Sequence, residues 1–318
     1  MQLDVYCSQA HYWRHCEPIV EVLVERGVEV RTFASRYHAP WGELLRPRHG
    51  KRTTLVAGGI DGRALHGRPV IYVEHGAGQS YLDAANDGQG WSGGPGLDHC
   101  VLFVCPSVRV AERWRARYGD VRAVAVGCPA LDAFHVERPR GGPVVFTSHW
   151  NCAVTPETLP AHDHYAAALP SILSTLRASG VLLAGHAHPR IARRMQPYWQ
   201  QLGVEWLSDF DVVLSTARLV VADNTSALYE AAAVGIPVVA LNAPWYRRDV
   251  EHGLRFWSHV PGLQCDDPAD LARVILEAVD DPPAAQALRA HAVEFAYAGL
   301  DGRASERAAD AIMECLDG

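Results

Sequence analysis

The chain has 318 residues, of which 48% are hydrophobic, 8% aromatic and 20% charged. Because a domain usually holds about 100–200 residues, this length predicts two domains, and the composition excludes a disordered or fibrous protein. The formal net charge is -7. An acidic balance disfavours a protein whose main task is to coat nucleic acid or an anionic membrane, since both attract basic surfaces.

The residue usage and the N-terminal segment argue against further classes of protein and of catalytic site. Lys51 is the only lysine, which argues against a Schiff-base or phosphate-loop lysine. The eight cysteines are scattered without a CxxC pair, as expected of small buried residues in a reducing compartment. The N-terminus has no secretory signal pattern, and no apolar run reaches the ~18 residues of a membrane span. We therefore expect a soluble, cytoplasmic protein.

Short apolar, β-branched runs alternate with helical stretches, a pattern typical of parallel sheets covered by helices on both faces. The predicted strands of the first half are Leu3–Cys7, Val28–Phe33, Thr54–Ala57, Val70–Val73, Val101–Cys105 and Val121–Val126. Between the first two, the pattern predicts a helix that has Pro18 near its start and Gly27 as its terminator.

A charged segment rich in proline and glycine, His135–Pro143, is predicted to be an interdomain linker. After it, strands are predicted at Val144–Thr147, Val181–Ala184, Val204–Leu207, Leu219–Ala222 and Val238–Leu241, and the stretch from about Pro268 is predicted to be helical. We therefore expect two α/β domains of similar size with a cleft between them. The long loop from Gly76 to Gly96 contains seven glycines, and we interpret it as a candidate lid over an acceptor site.

The first candidate motif is Tyr72-Val-Glu-His-Gly-Ala-Gly78, in which a predicted strand ends before a histidine and two glycines. Ligands of open α/β sheets bind beyond the carboxyl ends of the strands, so His75 faces the expected cleft. The near-neutral pKa of an imidazole suits a general base. The alternative is a strand-end histidine that is bonded to a nearby carbonyl.

A second motif, His186-Ala-His188-Pro189, also follows a predicted strand. Pro189 suits the first turn of a helix, which would place His188 at the helix N-terminus, where backbone N–H groups and the dipole favour an anion. The alternative is a His-x-His metal pair, with His162 and His164 as a second pair. Metal sites need three or four ligands, and the chain offers no other half with a familiar spacing.

A third motif, Asp223-Asn-Thr-Ser226, lies between a predicted strand and an alanine-rich helix that stops at Gly235. Asn224, Thr225 and Ser226 are good helix N-caps, and the same geometry can form a phosphate cradle. Glu230, one turn further on, is a candidate acceptor of hydrogen bonds from a ribose.

Arginine is concentrated in two places of the first domain. Arg109, Arg113, Arg115 and Arg117 lie on one predicted helix, and Arg46, Arg48, Lys51 and Arg52 form a second cluster. Such runs are solvated surfaces or, alternatively, face an anionic acceptor.

In this order the segments resemble the CDP-glycerol glycerophosphotransferase family, the teichoic-acid polymerase type, whose fold is GT-B. The motifs that carry the resemblance are His75-Gly76, Gly127-x-Pro129-x-x-Asp132, Thr147-Ser-His-Trp150, His188-Pro189, Asp223-x-x-Ser226 followed by Gly235-x-Pro237, and Asp301-Gly-x-Ala-Ser-x-Arg307. The resemblance implies an α/β protein with two Rossmann-like βαβ domains that face a central cleft. Residues 1–138 would bind the acceptor and residues 139–318 a nucleotide donor, and in this fold the last helix often crosses back onto the N-terminal domain.

The resemblance also implies roles for single residues. His75 would be the base on the acceptor hydroxyl, and His188, the second catalytic candidate, a ligand of the donor diphosphate. The donor-binding candidates are Gly76, Thr147, His188, Asn224, Thr225, Ser226 and Glu230. The implied reaction is metal-independent and without cofactor: a glycosyl or glycerol-phosphate-type group moves from a CDP- or UDP-linked donor to an acceptor hydroxyl.

Two departures from the family leave the transferred group open. Ala77-Gly78-Gln79 replaces a lysine-containing continuation, and Glu230 replaces the usual aspartate. The acceptor, which could be a polymer, a small molecule, a protein or modified DNA, and the oligomeric state are open too.

The non-hydrolysing UDP-N-acetylglucosamine 2-epimerase family, also GT-B, is the rival resemblance. The stretch from Tyr72 to Gly78 is similar to its His-Val-Glu-Ala-Gly segment, and Thr147-Ser-His-Trp-Asn151 to its Thr-x-His-Arg-x-Glu-Asn. The arginine and glutamate of the latter are absent, and Glu74 and Glu230 are the only good carboxylate candidates. A metal-dependent hydrolase that uses the His-x-His pairs and a non-catalytic nucleotide sensor are further alternatives.

Overall fold

A computed structural model describes residues 1–34, 52–79, 92–134, 141–153, 155–249 and 255–317. Most of the predicted linker (135–140), most of the candidate lid (80–91) and the basic residues Arg46, Arg48 and Lys51 lie outside these ranges. The chain forms two compact α/β units. The described residues up to 134 and those from Ala296 onward belong to the first unit, and those from 141 to Phe295 to the second. The roles predicted for the two domains, acceptor and donor binding, stay predictions.

The first unit contains a six-stranded parallel sheet in the order β2-β1-β3-β4-β5-β6. Its strands are β1 (Gln2–Cys7), β2 (Glu29–Ala34), β3 (Thr54–Val56), β4 (Val70–Val73), β5 (Cys100–Cys105) and β6 (Arg122–Ala125). Its helices are α1 (Ala10–Glu25), α2 (Gly59–Ala64), α3 (Val108–Tyr118) and the final helix of the chain, α11 (Ala304–Asp317), with a 3-10 helix at Pro129–Phe134. The strand order reverses between β1 and β3, so the ligand-binding switch point of this sheet lies at their carboxyl ends.

The second unit has its own six-stranded parallel sheet in the Rossmann order β12-β11-β10-β7-β8-β9. The strands are β7 (Val144–Thr147), β8 (Leu183–Gly185), β9 (Glu205–Trp206), β10 (Leu219–Ala222), β11 (Val238–Leu241) and β12 (Leu263–Cys265). The helices are α4 (His162–Tyr165), α5 (Leu169–Ala178), α6 (Pro189–Gln201), α7 (Phe210–Thr216), α8 (Ala227–Ala233), α9 (Leu271–Val279) and α10 (Pro283–Ala296), with 3-10 helices at Pro156–Thr158, Trp257–His259 and Pro268–Asp270. The switch point is between β7 and β10.

Every strand predicted from the sequence is present, with ends shifted by at most two residues. Parallel strands are buried on both faces, so they form continuous apolar runs that are easy to recognise. The strand β12 was not predicted, because the polar Gln264 in its centre interrupts what would otherwise be an apolar run. None of the helices in the described ranges is long and apolar enough to cross a membrane.

The prediction that the first helix begins near Pro18 is wrong. The helix α1 begins at Ala10, and Pro18 lies in its interior. A proline there removes one helical hydrogen bond, but buried side chains on the preceding turns, including Tyr12 and Cys16, hold this segment against the sheet. The helix ends before Gly27, whose positive φ of 83° suits the predicted terminator.

The N-terminus of the last helix, α11, is capped by the carboxylate of Asp132. One carboxylate oxygen accepts the backbone N–H of Ala304 at 3.1 Å and the other accepts that of Ser305 at 2.7 Å. A carboxylate in this position satisfies N–H groups that have no partner within the helix and complements the helix dipole. Asp132 thereby fixes the start of α11 on the first unit, whose core also contains Ala308 and Ile312.

A second contact in the same region uses Arg307 of α11. Its guanidinium pairs with Asp301 at 2.9 and 2.8 Å and donates to the carbonyl of Val126 at 3.0 and 2.8 Å. A Cβ on Gly127 would lie 2.4 Å from the carbonyl oxygen of Ala298, and the φ of Gly127 is +94°. These contacts give the Gly-x-Pro-x-x-Asp and Asp-Gly-x-Ala-Ser-x-Arg motifs a structural role, because they join the last helix to the sheet.

We expect Asp132→Ala to lower the free energy of unfolding of the first unit by about 1–2 kcal/mol, because two N–H groups of α11 lose their acceptor. The measurement is a denaturant titration. Glu314→Ala is the matched control on the same helix, since it removes only an exposed ion pair with Arg122, worth at most about 1 kcal/mol. Equal losses for both variants would contradict the anchoring role of Asp132.

Candidate functional site at the carboxyl ends of the strands

His75 lies just beyond β4, at the carboxyl edge of the first sheet, and is surrounded by ring side chains from α1. Its ring centroid is 5.0 Å from that of Tyr12, 6.0 Å from that of His15 and 6.5 Å from that of His11. Because α1 directly follows β1, its first turns lie at this edge. The three histidines and the tyrosine form one cluster, which we call the His75 cluster.

Within the His75 cluster, His15 is buried, and its pKa is well below the ordinary value of a histidine. Burial is the main cause, and the nearby Arg14, His75 and His11 add to it. His15 is therefore a neutral imidazole near neutral pH. Because His15 is neutral, it places no charge next to His75. This suits a residue that has to accept a proton.

The switch point of the first sheet holds a titratable carboxyl group. Asp61, in α2, accepts the backbone N–H of Ser8 at 2.8 Å, which ties the start of α2 to the end of β1. Burial raises the pKa of Asp61 to about 6, although the Ser8 hydrogen bond acts in the opposite direction. Asp61 has no recognisable motif around it and was not selected from the sequence.

Glu74, the residue between β4 and His75, is held by side chains of the first unit. Its two carboxylate oxygens accept hydrogen bonds from Ser92 at 2.7 Å and Trp114 at 3.0 Å. Burial raises the pKa of Glu74, and the bonds from Ser92 and Trp114 oppose that shift. The next residue but one, Gly76, has a positive φ of 82°, so the chain turns sharply after His75.

The imidazole of His188 caps the N-terminus of α6, and Pro189 occupies the first helical position as the sequence predicts. Its Nδ1 accepts the backbone N–H of Arg190 at 3.2 Å. Since Nδ1 is the acceptor, the proton of the neutral ring is on Nε2, which is a donor. An imidazole N–H beside the N-terminus of a 13-residue helix is a suitable environment for a phosphate group.

Three further side chains surround His188. Its ring centroid is 5.4 Å from that of His149 and 5.9 Å from that of Trp150, both of which follow β7. The guanidinium carbon of Arg190 lies 4.2 Å from the centroid of the Trp150 ring, within the range of a cation–π interaction. We call these residues, with His188, the His188 cluster.

At the switch point of the second sheet, the ends of β7 and β10 are joined by Asp223. Its Oδ1 accepts the backbone N–H of His149 at 2.8 Å, and its Oδ2 is buried without a hydrogen-bond partner among the described residues. Burial raises the pKa of Asp223 to about 7, while the His149 N–H and the charge of Arg255 oppose the shift. The side chain is therefore partly protonated near neutral pH.

The polar residues after Asp223 form the start of α8. Asn224 is buried and donates to the carbonyl of Glu157 at 3.3 Å, and the hydroxyl of Thr225 accepts the N–H of Ala227 at 3.3 Å. Ser226 occupies the N-cap position without a side-chain cap bond, and Glu230 is buried one turn later. Four of the seven residues predicted to bind the nucleotide donor thus follow β10 and lie in or next to the start of α8.

Thr147 and His186 form a buried pair. The Thr147 hydroxyl lies 2.7 Å from Nδ1 of His186, and burial lowers the pKa of His186 to about 4. Within the described ranges, neither His186 with His188 nor His162 with His164 belongs to a group of three ligand atoms close enough to share a metal ion.

Both the His75 cluster and the His188 cluster contain residues that the sequence does not identify as site candidates. His11, Tyr12 and His15 precede Pro18, near which the sequence predicts the helix to start, whereas α1 begins at Ala10. His149 and Trp150 belong to the Thr147-Ser-His-Trp150 motif. Their position directly after β7 is the signal that could have identified them as site residues.

Three solved structures show what the whole chain is similar to. A variant of the wall teichoic acid polymerase TagF soaked with CDPG aligns with a TM-score of 0.66 at 12% identity, over 99% of this chain and 88% of that one. MnaA of S. aureus with UDP aligns with a TM-score of 0.63 at 14% identity, over 99% of this chain and 97% of that one. The UDP-GlcNAc 2-epimerase of Methanocaldococcus jannaschii, in complex with UDP-GlcNAc and UDP, has a TM-score of 0.63 at 12% identity, over 99% of this chain and all of that one.

The chain has the GT-B fold. The predicted fold class is confirmed, and both of the families that the motifs resemble occur among the similar structures. No protein-family model and no curated protein matches the chain. The GT-B fold serves more than one reaction, so the choice between reactions depends on the site residues.

Proposed function

We propose that this GT-B protein is a transferase that uses a nucleotide-diphosphate donor, CDP- or UDP-linked. The observation that carries the proposal is the orientation of His188, whose Nε2–H is a donor at the N-terminus of α6 beside the Arg190 guanidinium. Together they offer a neutral donor, a cation and the positive end of the α6 dipole, without lysine or metal. Among the similar structures, TagF soaked with CDPG, MnaA with UDP and an epimerase with UDP-GlcNAc and UDP support a nucleotide ligand.

In this proposal the residues around Asp223 complete the donor site. Thr225 and Ser226 contact phosphate oxygens, and Glu230 accepts hydrogen bonds from the ribose. Asn224 and Thr147 line the same edge of the second sheet. For Gly76, which belongs to the first unit, a contact to the donor stays a prediction.

The proposed reaction is the transfer of a glycosyl or glycerol-phosphate-type group to an acceptor hydroxyl. His75 removes the hydroxyl proton while the acceptor oxygen attacks the transferred group in line. In glycosyl transfer the oxygen bonds to the anomeric carbon and a nucleoside diphosphate leaves. In glycerol-phosphate transfer it bonds to phosphorus and a nucleoside monophosphate leaves. His188, Ser226 and the positive end of the α6 dipole offset the negative charge that grows on the leaving phosphate.

Epimerisation of a UDP-sugar is the second candidate, and Asp61 favours it, because a buried carboxyl with a pKa of about 6 suits proton transfer. Glu74, whose oxygens are engaged by Ser92 and Trp114, argues against it. Incubation with UDP-GlcNAc alone, followed by NMR, separates the two reactions. An epimerase interconverts the sugar without an acceptor, and a transferase does not.

The first test is a thermal-shift panel of CDP-, UDP-, GDP- and dTDP-linked donors. A donor at 100 times its dissociation constant stabilises the folded state by about 2.7 kcal/mol, which raises the melting temperature measurably. We expect a shift with a CDP- or UDP-linked donor. No shift with any member of the panel would contradict the proposal.

We expect His188→Asn to weaken donor binding by about 10- to 100-fold, because it removes one hydrogen bond to a charged group. Asparagine is a good N-cap, so this variant keeps α6 intact while it removes the imidazole. Isothermal titration with the donor from the panel gives the affinity, and the melting temperature without donor is the folding control. Unchanged affinity in His188→Asn would mean that the imidazole does not hold the diphosphate.

A further inference from the structure

A second group of histidines lies on the first unit, at the amino ends of β4 and β5 and thus at the opposite edge of the sheet from His75. His66 follows α2, and Asp98 and His99 directly precede β5. One ligand atom from each of the three residues lies within 4.8 Å of the other two. Among the described residues, this is the only such group of three histidine, cysteine or acidic side chains.

The orientation of His99 indicates a metal ligand. Its Nε2 lies 3.0 Å from the carbonyl oxygen of Gly62, which can only accept, so Nε2 carries the proton. The lone pair is therefore on Nδ1, which is buried and has no hydrogen-bond partner among the described residues. Metal-binding histidines typically have this arrangement, in which a backbone carbonyl fixes one ring nitrogen and the other is left for the ion.

We propose that His66, Asp98 and His99 bind one zinc-type divalent ion, with water in the fourth position. Two imidazoles and a carboxylate suit zinc, whereas magnesium and calcium prefer oxygen ligands. Ligand atoms around tetrahedral zinc are ~3.3 Å apart, so the side chains have to close by at most ~1.5 Å. His66 and Asp98 are exposed and can do so by rotation about their side-chain bonds.

The site bridges two segments that lead into neighbouring strands. The backbone N–H of Arg68 bonds to the carbonyl of Leu65 in the turn that carries His66, and that of Val70 bonds to the carbonyl of His99. An ion held by both segments ties the amino ends of β4 and β5 together. Its effect is on the stability of the first unit, and it is independent of the proposed transfer reaction.

The test is a zinc titration of the metal-stripped full chain against a competing chelator. We expect one zinc per wild-type chain and a loss of affinity of at least about 10- to 100-fold in His66→Ala and in Asp98→Asn. His291→Ala, which removes an exposed histidine of the second unit, is the matched control and is expected to bind zinc like the wild type. The proposal would be overturned if the wild type and all three variants bound zinc with equal affinity. It would also be overturned if the wild type did not bind zinc stoichiometrically.

A second readout uses thermal stability. Zinc, but not magnesium, is expected to raise the melting temperature of the wild type and of His291→Ala, and to leave that of His66→Ala unchanged. A zinc-dependent shift that persists in His66→Ala would place the ion elsewhere and reject the proposal.

Discussion

His75→Ala is expected to lower turnover by about 10²- to 10⁴-fold, the usual contribution of a general base. The substitution removes the imidazole at the end of β4 that would accept the proton of the acceptor hydroxyl. Donor affinity should stay nearly unchanged, because the proposed phosphate ligands, His188 and Ser226, belong to the second unit. The measurement is steady-state turnover with the donor that the thermal-shift panel selects.

Two controls make the His75 result specific. His291→Ala removes an exposed histidine remote in sequence from either cluster and should keep wild-type turnover. The thermal shift of His75→Ala with the selected donor should equal that of the wild type, which shows that the variant is folded and binds. Near-wild-type turnover of His75→Ala would reject His75 as the base, and a lost donor shift would assign it to donor binding.

The strands and the edge that carries the candidate sites were predictable because their signals are local. A buried strand is a run of apolar residues, and the motifs of His75 and His188 directly follow such runs. The identity of His188 as a helix cap followed from the adjacent Pro189. These predictions needed no knowledge of contacts between distant segments.

Contacts between distant segments could not be predicted in this way. The hydroxyl of Thr147 meets His186, which is 39 residues away, and Asp132 caps a helix 172 residues later. The His75 cluster was missed for a different reason, since the first helix continues through Pro18 where propensity alone predicts a break. Packing of Tyr12 against the sheet outweighs that cost, and packing is not visible in a local pattern.

The second unit is expected to show two opposing pH effects on its stability, one from His186 and one from Asp223. Burial lowers the pKa of His186 to about 4 and raises that of Asp223 to about 7. Their ordinary values are 6.5 and 3.8. Both groups are therefore held in their neutral forms over much of the range between pH 4 and 7.

Below pH 6.5 the unfolded chain protonates His186 while the folded protein does not, so its contribution to stability is lost as the pH falls towards 4. The loss amounts to about 3 kcal/mol, at 1.36 kcal/mol per unit of pKa difference. Asp223 acts in the opposite direction. Above pH 3.8 the unfolded carboxyl ionises while the folded one stays protonated, so stability is lost as the pH rises towards 7, by about 4 kcal/mol.

Single variants should expose each effect, because the wild type contains both and they largely offset one another. His186→Asn keeps an amide atom near the position that contacts Thr147 but cannot be protonated in this range. Its stability relative to the wild type should increase by about 3 kcal/mol as the pH falls from 7 to 4. Asp223→Asn keeps the acceptor for the His149 N–H, and its relative stability should increase by about 4 kcal/mol as the pH rises from 4 to 7.

The comparison is made by denaturant titration at each pH, as variant minus wild type, because this difference cancels groups that titrate in both proteins. The two slopes must have opposite signs, since one substitution removes a buried neutral base and the other a buried neutral acid. Curves that run parallel to the wild type would mean that water or ions reach both groups in the folded state. In that case Asp223 would be fully ionised at neutral pH and would repel the diphosphate that the neighbouring His188 is proposed to bind.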